Sequence, residues 1–167
     1  MLPQEFIFLS IPFYAISYYF YIKNMFSGET RPNLASWFIW MLAPFLGVFF
    51  DLKAGAGLSA LPVFLAGFGP FIILSILFFK RNYYWRLTNF DVTCGALSLI
   101  ALIFYIITRD LNISVIFVIL SDGLAALPTI VKSWKFPETE TSTVYFFGVL
   151  SQILGLLTIK NWILLKN

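Results

Sequence analysis

Histidine is absent from the chain, and cysteine occurs once, as Cys94. The first absence removes imidazole metal sites and every histidine-based triad or general base. The second removes any disulfide within the chain. Charge is scarce too: 11% of residues are Asp, Glu, Lys or Arg, against about 25% in soluble domains. No basic run exceeds two adjacent cations, Lys80-Arg81 being the longest, so a nucleic-acid interface is not expected. Without a histidine, and with one isolated thiol, intramembrane catalysis would need clustered acids and hydroxyls that the chain does not provide. Neither an enzyme nor a bound cofactor or metal is therefore expected. MLPQEF lacks a basic leader, and no small-residue cleavage site follows, so the N-terminal apolar run reads as a first span rather than a signal peptide.

What fills the chain instead is hydrocarbon. Hydrophobic residues make up 60% and aromatics 20%, which is membrane composition. Six apolar runs are separated by short polar breaks: Phe6 to Ile22, Leu34 to Phe50, Gly55 to Phe79, Val92 to Thr108, Ile113 to Val131 and Thr143 to Ile159. Each has the ~17–25 residues that a helical crossing needs. The expected fold is all-α, a polytopic membrane bundle of six transmembrane helices in one transmembrane domain. Asn33 and Ser142 stand where N-caps belong. Pro62, Gly67, Gly69 and Pro70 predict a kinked or broken third span. Gly55-Ala56-Gly57 is no dinucleotide fingerprint, because no strand precedes it.

Cation placement suggests orientation. Lys23, Arg31, Lys80, Arg81, Arg86, Lys132 and Lys135 follow the odd spans, while Lys53, Arg109, Lys160 and Lys166 lie on the other side. That seven-to-four bias places the first group in the cytoplasm and the N-terminus outside, in the cell membrane. Tyr18, Tyr19, Tyr21, Trp37, Tyr83, Tyr84, Trp85 and Trp134 then read as an aromatic belt on the cytoplasmic side. Asp51 and Asp91, at span ends, read as solvated.

The stretch SDGLAALPTIVKSWKFPETETST, from Ser121 to Thr143, carries the sharpest chemical signal. It sets one acid, Asp122, in an apolar run, with Pro128-Thr129 two turns on and a basic exit at Lys132. At helical spacing Ser114, Val118, Asp122, Ala125, Ala126 and Thr129 form a stripe of small or polar groups. An acid in a membrane span usually faces a protein interior or a water-filled path, and a proline frees a backbone carbonyl there. Asp122 with Ser114, Pro128 and Thr129 is thus a candidate substrate or proton site. The bland alternative is an acid satisfied by a neighbouring helix. Ser36 and Trp40 form a matching stripe with Pro44 in span two, although a packing or belt role for Trp40 fits equally. Ser151 and Gln152 in span six, flanked by Gly148 and Gly155, could line the same path or simply permit close helix contact.

The chain also repeats itself. IKNMFSGETRPNLASWF recurs, at an offset of 109 residues, as VKSWKFPETETSTVYFF. Lys23 meets Lys132, Glu29 meets Glu138, Thr30 meets Thr139 and Phe38 meets Phe147, with Asn33 opposite Ser142. The offset pairs span one with span five and span two with span six. The repeats therefore run parallel, and span four reverses direction between two three-helix units. Residues 6–80 form the first unit, 91–108 the linker helix and 112–160 an incomplete second unit. A counterpart of span three would begin at position 164, so the second unit is short of its last helix over the sequence read.

With Pro128-Thr129 on the fifth helix, Lys132 and the turn after it, this arrangement resembles the PQ-loop superfamily, which includes the SWEET sugar transporters. GETRPNLASWFIW resembles an uncharacterised prokaryotic branch of it. The resemblance implies a carrier for a small polar solute, proton-coupled through Asp122. It also implies a homodimer, since small parallel units of this superfamily work in pairs. Span three lacks the mid-membrane asparagine of the sugar carriers, which argues against a sugar. Tyr19-Phe20 stands where the repeat would set a second Pro-Gln pair. The alternative is a non-transporting membrane protein, either a ligand-binding receptor or an assembly subunit. The partners expected are the lipid bilayer and a small solute.

Overall fold

A computed structural model describes residues 3–53, 55–80, 84–108 and 111–158, with side chains at 111, 112, 114 and 115 excepted. Six α-helices organise it: α1 (Ser10–Ser27), α2 (Leu34–Lys53), α3 (Leu61–Phe79), α4 (Asn89–Ile107), α5 (Leu111–Lys135) and α6 (Thr143–Leu157). No strand occurs among the described residues. A 3-10 turn, Gln4–Leu9, extends α1 backward, and another, Gly57–Ala60, leads into α3. Five segments are long and apolar enough to cross a bilayer: Gln4–Ser27, Leu34–Lys53, Gly57–Phe79, Asn89–Ile107 and Ile116–Lys135. The chain is an integral, multi-pass membrane protein of helical-bundle type. At 15 residues the described part of α6 is shorter, spanning roughly 22 Å at 1.5 Å per residue. Residue 159, the expected end of span six, lies outside the described residues.

Lipid rather than water explains the surface. Phe78, Phe79, Ile107 and Ile119 project outward, where in water they would be a liability. Inside, Tyr21, Met25, Trp37, Ile73, Leu77 and Val144 make one core between α1, α2, α3 and α6. Ile39, Ala43, Leu102 and Ala125 make a second between α2, α4 and α5. The principal helix pairs are α4 with α5, α2 with α3, α1 with α6, and α2 with α5. Helix α3 packs on both α1 and α2.

Local sequence sets the helix ends. Gly28, at φ +83°, closes α1 in a left-handed conformation that a side chain would strain. Asn33 caps α2 as expected: its Oδ1 accepts from the N–H groups of Ala35 (3.1 Å) and Ser36 (3.4 Å). Ser142 does not cap α6, since its backbone is already helical and its side chain makes no cap bond. Helix α3 is not broken. Pro62 sits in its first turn, where a missing N–H costs nothing, and the helix then runs unbroken past Pro70. The glycines serve close approach instead. A Cβ on Gly69 would fall 1.7 Å from the Tyr18 ring, and one on Gly67 would fall 3.1 Å from Phe45.

Asp91 is buried rather than solvated, at 4% exposure. Its Oδ2 accepts from the Thr88 N–H (2.6 Å) and hydroxyl (2.8 Å), while its Oδ1 accepts from the Asn33 amide (3.0 Å). The capping box of α4 is thereby tied to the cap of α2. Asp51 is half-buried at the end of α2.

Candidate functional site

A pocket of ≈ 390 Å³, open along exposed Val149, Ile153 and Leu156 of α6, lies between α1, α2, α3 and α6. That volume falls within the ~300–1,000 Å³ of small-molecule sites. Aromatic rings wall it: Tyr14 and Tyr18 from α1, Trp37 and Trp40 from α2, and Tyr145 from α6. Tyr14 and Tyr18 stack at 5.6 Å, and Trp40 meets Trp37 (5.7 Å) and Tyr145 (6.0 Å) edge-on. The space exists because Gly69 and Pro70 let the Tyr18 ring lie against the backbone of α3. Gln152 stands at its edge, its amide donating to the Tyr14 hydroxyl at 3.3 Å. Among the described residues no charged side chain lines the pocket. Trp37 and Tyr21 are core residues and Tyr18 is a cavity wall. Among the described residues Tyr19, Tyr84 and Trp134 keep the exposure expected of a belt, and Tyr83 lies outside the described residues.

Tyr145, in the pocket wall, is bonded to a buried ion pair. Lys132 joins Glu140, with their side chains 1% and 6% exposed. The ammonium also donates to the carbonyls of Arg31 (2.6 Å) and Thr139 (3.2 Å). The other carboxylate oxygen of Glu140 accepts from the hydroxyls of Tyr21 (2.8 Å) and Tyr145 (2.9 Å). Thr30 and Thr141 share a hydrogen bond beside it, and Asn24 donates to Thr141 at 3.1 Å. The Arg31 N–H reaches Thr139 O at 3.0 Å. The α1–α2 and α5–α6 loops are thus stitched together through Lys132. That lysine reads as an ordinary solvated helix exit in sequence, and it is instead buried with three partners. A buried pair holds only when such extra bonds complete it.

The expected site residues divide between these features. Thr129 and Ser36 do meet: the Thr129 hydroxyl donates to Ser36 at 2.9 Å, both buried between α5 and α2. Trp40 and Gln152 line the aromatic cavity. Pro128 is buried in α5. Ser151 is fully buried, and its hydroxyl has no hydrogen-bond partner. It lies one turn before Gly155, which packs on Pro62 of α3. The side chain of Ser114 lies outside the described residues. Asp122 is exposed at the side of the bundle, one turn before Ala126, which packs near Trp40. Below it on α5, a second hollow of ≈ 450 Å³ runs past Ala126, Thr129 and Ser133 to Trp134, floored by Trp40 and Tyr145. The α5–α6 flank is open here, and neither Gly123 nor Gly148 has a neighbour where a Cβ would sit. Trp40 therefore has the cavity on one side and Asp122 with the hollow on the other. Sequence reasoning missed Ser121, whose hydroxyl donates to Ser98 O at 2.9 Å and pins α5 to α4.

Among the described residues no three His, Cys, Asp or Glu side chains converge as a metal would require. Comparison with protein-family models, characterised proteins and solved structures finds no match to the chain.

Proposed function

We propose that the chain is a membrane carrier for a small solute, built on the two-unit plan of the PQ-loop and SWEET-like proteins. One observation carries this reading: an aromatic-walled pocket in a membrane bundle, one wall of which, Tyr145, is bonded to a charged latch between two loops. Alternating access needs a site and a closable end, and the two are joined here. The latch, Lys132 with Glu140, is the gate, and Tyr145 belongs to both gate and cavity wall. Opening this end means parting the loops at Arg31 and Thr139.

The helix pairing supports the repeat. At the offset of 109 residues α1 corresponds to α5 and α2 to α6. The contact of α1 with α6 then becomes that of α5 with α2, and both pairs are packed. The two loops that meet at the latch are also the repeat-related ones. Six spans follow on this plan, with the latch loops in the cytoplasm of the cell and the N-terminus outside. Asp122, the one acid in the middle of α5, is the proton-coupling group, communicating with the cavity through Trp40.

Uptake into proteoliposomes tests the reading. Solute flux that responds to an imposed proton gradient and is lost in Asp122→Asn, with the fold intact, is the expected result. A solute that stabilises the protein yet is never moved would make the chain a binder and remove the carrier reading.

A further inference from the structure

We infer that the aromatic cavity takes a compact organic cation, an amine or quaternary ammonium with an apolar outline. The inference rests on the cavity assigned above as the solute site, and it names the class of solute. Five ring systems, from Tyr14, Tyr18, Trp37, Trp40 and Tyr145, converge on ≈ 390 Å³. The faces of such rings carry negative potential, and a cage of them is the usual receptor for a cation that cannot be hydrated.

The electrostatics around the cage favour the same sign. Among the described residues no lysine or arginine lines it. Two acids lie beyond its walls: Asp122, one turn before Ala126, which lines the neighbouring hollow together with Trp40, and Glu140, which accepts from the Tyr145 hydroxyl. Lys132 neutralises Glu140 from its other oxygen, so the pair is a dipole with its negative end toward Tyr145. Among the described residues of α5, Ser121, Gly123, Ala125 and Ala126 surround Asp122, and none is a cation. An anionic solute would meet aromatic rings with this negative end behind them.

Hydrogen bonding argues against a polyhydroxylated solute. The Tyr145 hydroxyl proton is committed to Glu140 at 2.9 Å, and the Gln152 amide to Tyr14 at 3.3 Å. Donation to a carboxylate also pushes electron density into the Tyr145 ring, which strengthens its attraction for a cation. Apart from the Tyr14 hydroxyl proton and the rest of the Gln152 amide, the wall is aromatic and aliphatic, suited to methyl or methylene groups around a positive nitrogen.

The test uses the full chain, purified in detergent, and pairs of probes matched in shape. Choline and 3,3-dimethylbutan-1-ol have the same outline and differ in charge; tetramethylammonium and glucose complete the panel. Binding is followed by tryptophan fluorescence and by thermal stabilisation. Choline and tetramethylammonium should bind saturably, at least about tenfold tighter than the neutral alcohol, with glucose silent. Trp40→Leu should abolish cation binding, and Asp122→Asn should weaken it. Tyr145→Phe keeps the ring and should retain most of it, which separates the cage from the hydrogen bond. Equal binding of the alcohol, preferential binding of glucose, or no cation binding by a monodisperse, folded protein would each overturn the inference. Cation binding without uptake into proteoliposomes would leave it standing while removing the carrier reading. Flux of a neutral solute that choline does not inhibit would do the reverse.

Discussion

Replacing Lys132 by methionine removes the ammonium but keeps the aliphatic stem. In the structure that ammonium serves Glu140 and the carbonyls of Arg31 and Thr139 at once. Without it Glu140 keeps two phenolic donors, from Tyr21 and Tyr145, but becomes a buried carboxylate with no countercharge. Removing one partner of a buried pair costs about 3–5 kcal/mol, most of it the penalty on the charge left behind. Lys132→Met should therefore lower stability by about that amount. Adding Glu140→Gln removes the stranded charge, and the amide oxygen still accepts from both tyrosines. The double variant should recover more than half of the loss, a coupling on the order of 2 kcal/mol. Unfolding in mixed micelles, followed by tryptophan fluorescence, provides the four corners of the cycle. A single variant that loses less than about 1 kcal/mol would mean that the pair is hydrated, contrary to its burial. Additive losses would mean that the two side chains act independently, and the latch would have no basis.

Other substitutions probe other parts of the bundle. Gly69→Ala should drive the Tyr18 ring off α3, because the new methyl would lie 1.7 Å from it. Overpacking of this kind costs about 1–3 kcal/mol, and ligand binding, read by tryptophan fluorescence, should weaken as the ring moves into the cavity. Thr129→Val removes the donor to Ser36. In a membrane interior the loss should be only about 0.6–2 kcal/mol, read from the same unfolding curves, and a larger effect would point to a role beyond packing. Trp134→Cys in a Cys94→Ser background places a thiol at a side chain 88% exposed. Impermeant maleimide should label it in inside-out vesicles and not in intact cells; the reverse pattern would invert the proposed topology.

Composition alone carried the class of fold, because apolar runs of crossing length have few other uses. The Asn33 cap was legible for a related reason: a cap is a local device, and its acceptor lies two and three residues from its donors. The latch was not. Lys132 and Glu140 sit around a Pro-containing turn in a pattern typical of a hydrated helix exit, and the groups that bury them come from Tyr21 and Arg31, more than 100 residues upstream. Asp91 was misread in the same way, its second oxygen being taken by Asn33 from another helix. The stripe on α5 was half legible. Helical spacing correctly put Thr129 at an interface, but periodicity fixes a face and not the height at which a neighbour covers it. Asp122 shares that face and still reaches the surface, beside Trp40.

The latch also constrains how the protein is made. Its bonds to the α1–α2 side join residues 101 and 119 positions apart, so neither can form until α5 has been made almost to its end. During synthesis the apolar helices can enter the bilayer one by one, but Lys132 arrives before its acid and must wait at the interface, its stem along the lipid and its charge in water. Only when Glu140 and Tyr145 have followed does burial of the lysine become favourable. Closing the two loops is therefore the last act of assembly, and a nascent chain interrupted before Glu140 displays an unpaired lysine that membrane quality control can recognise.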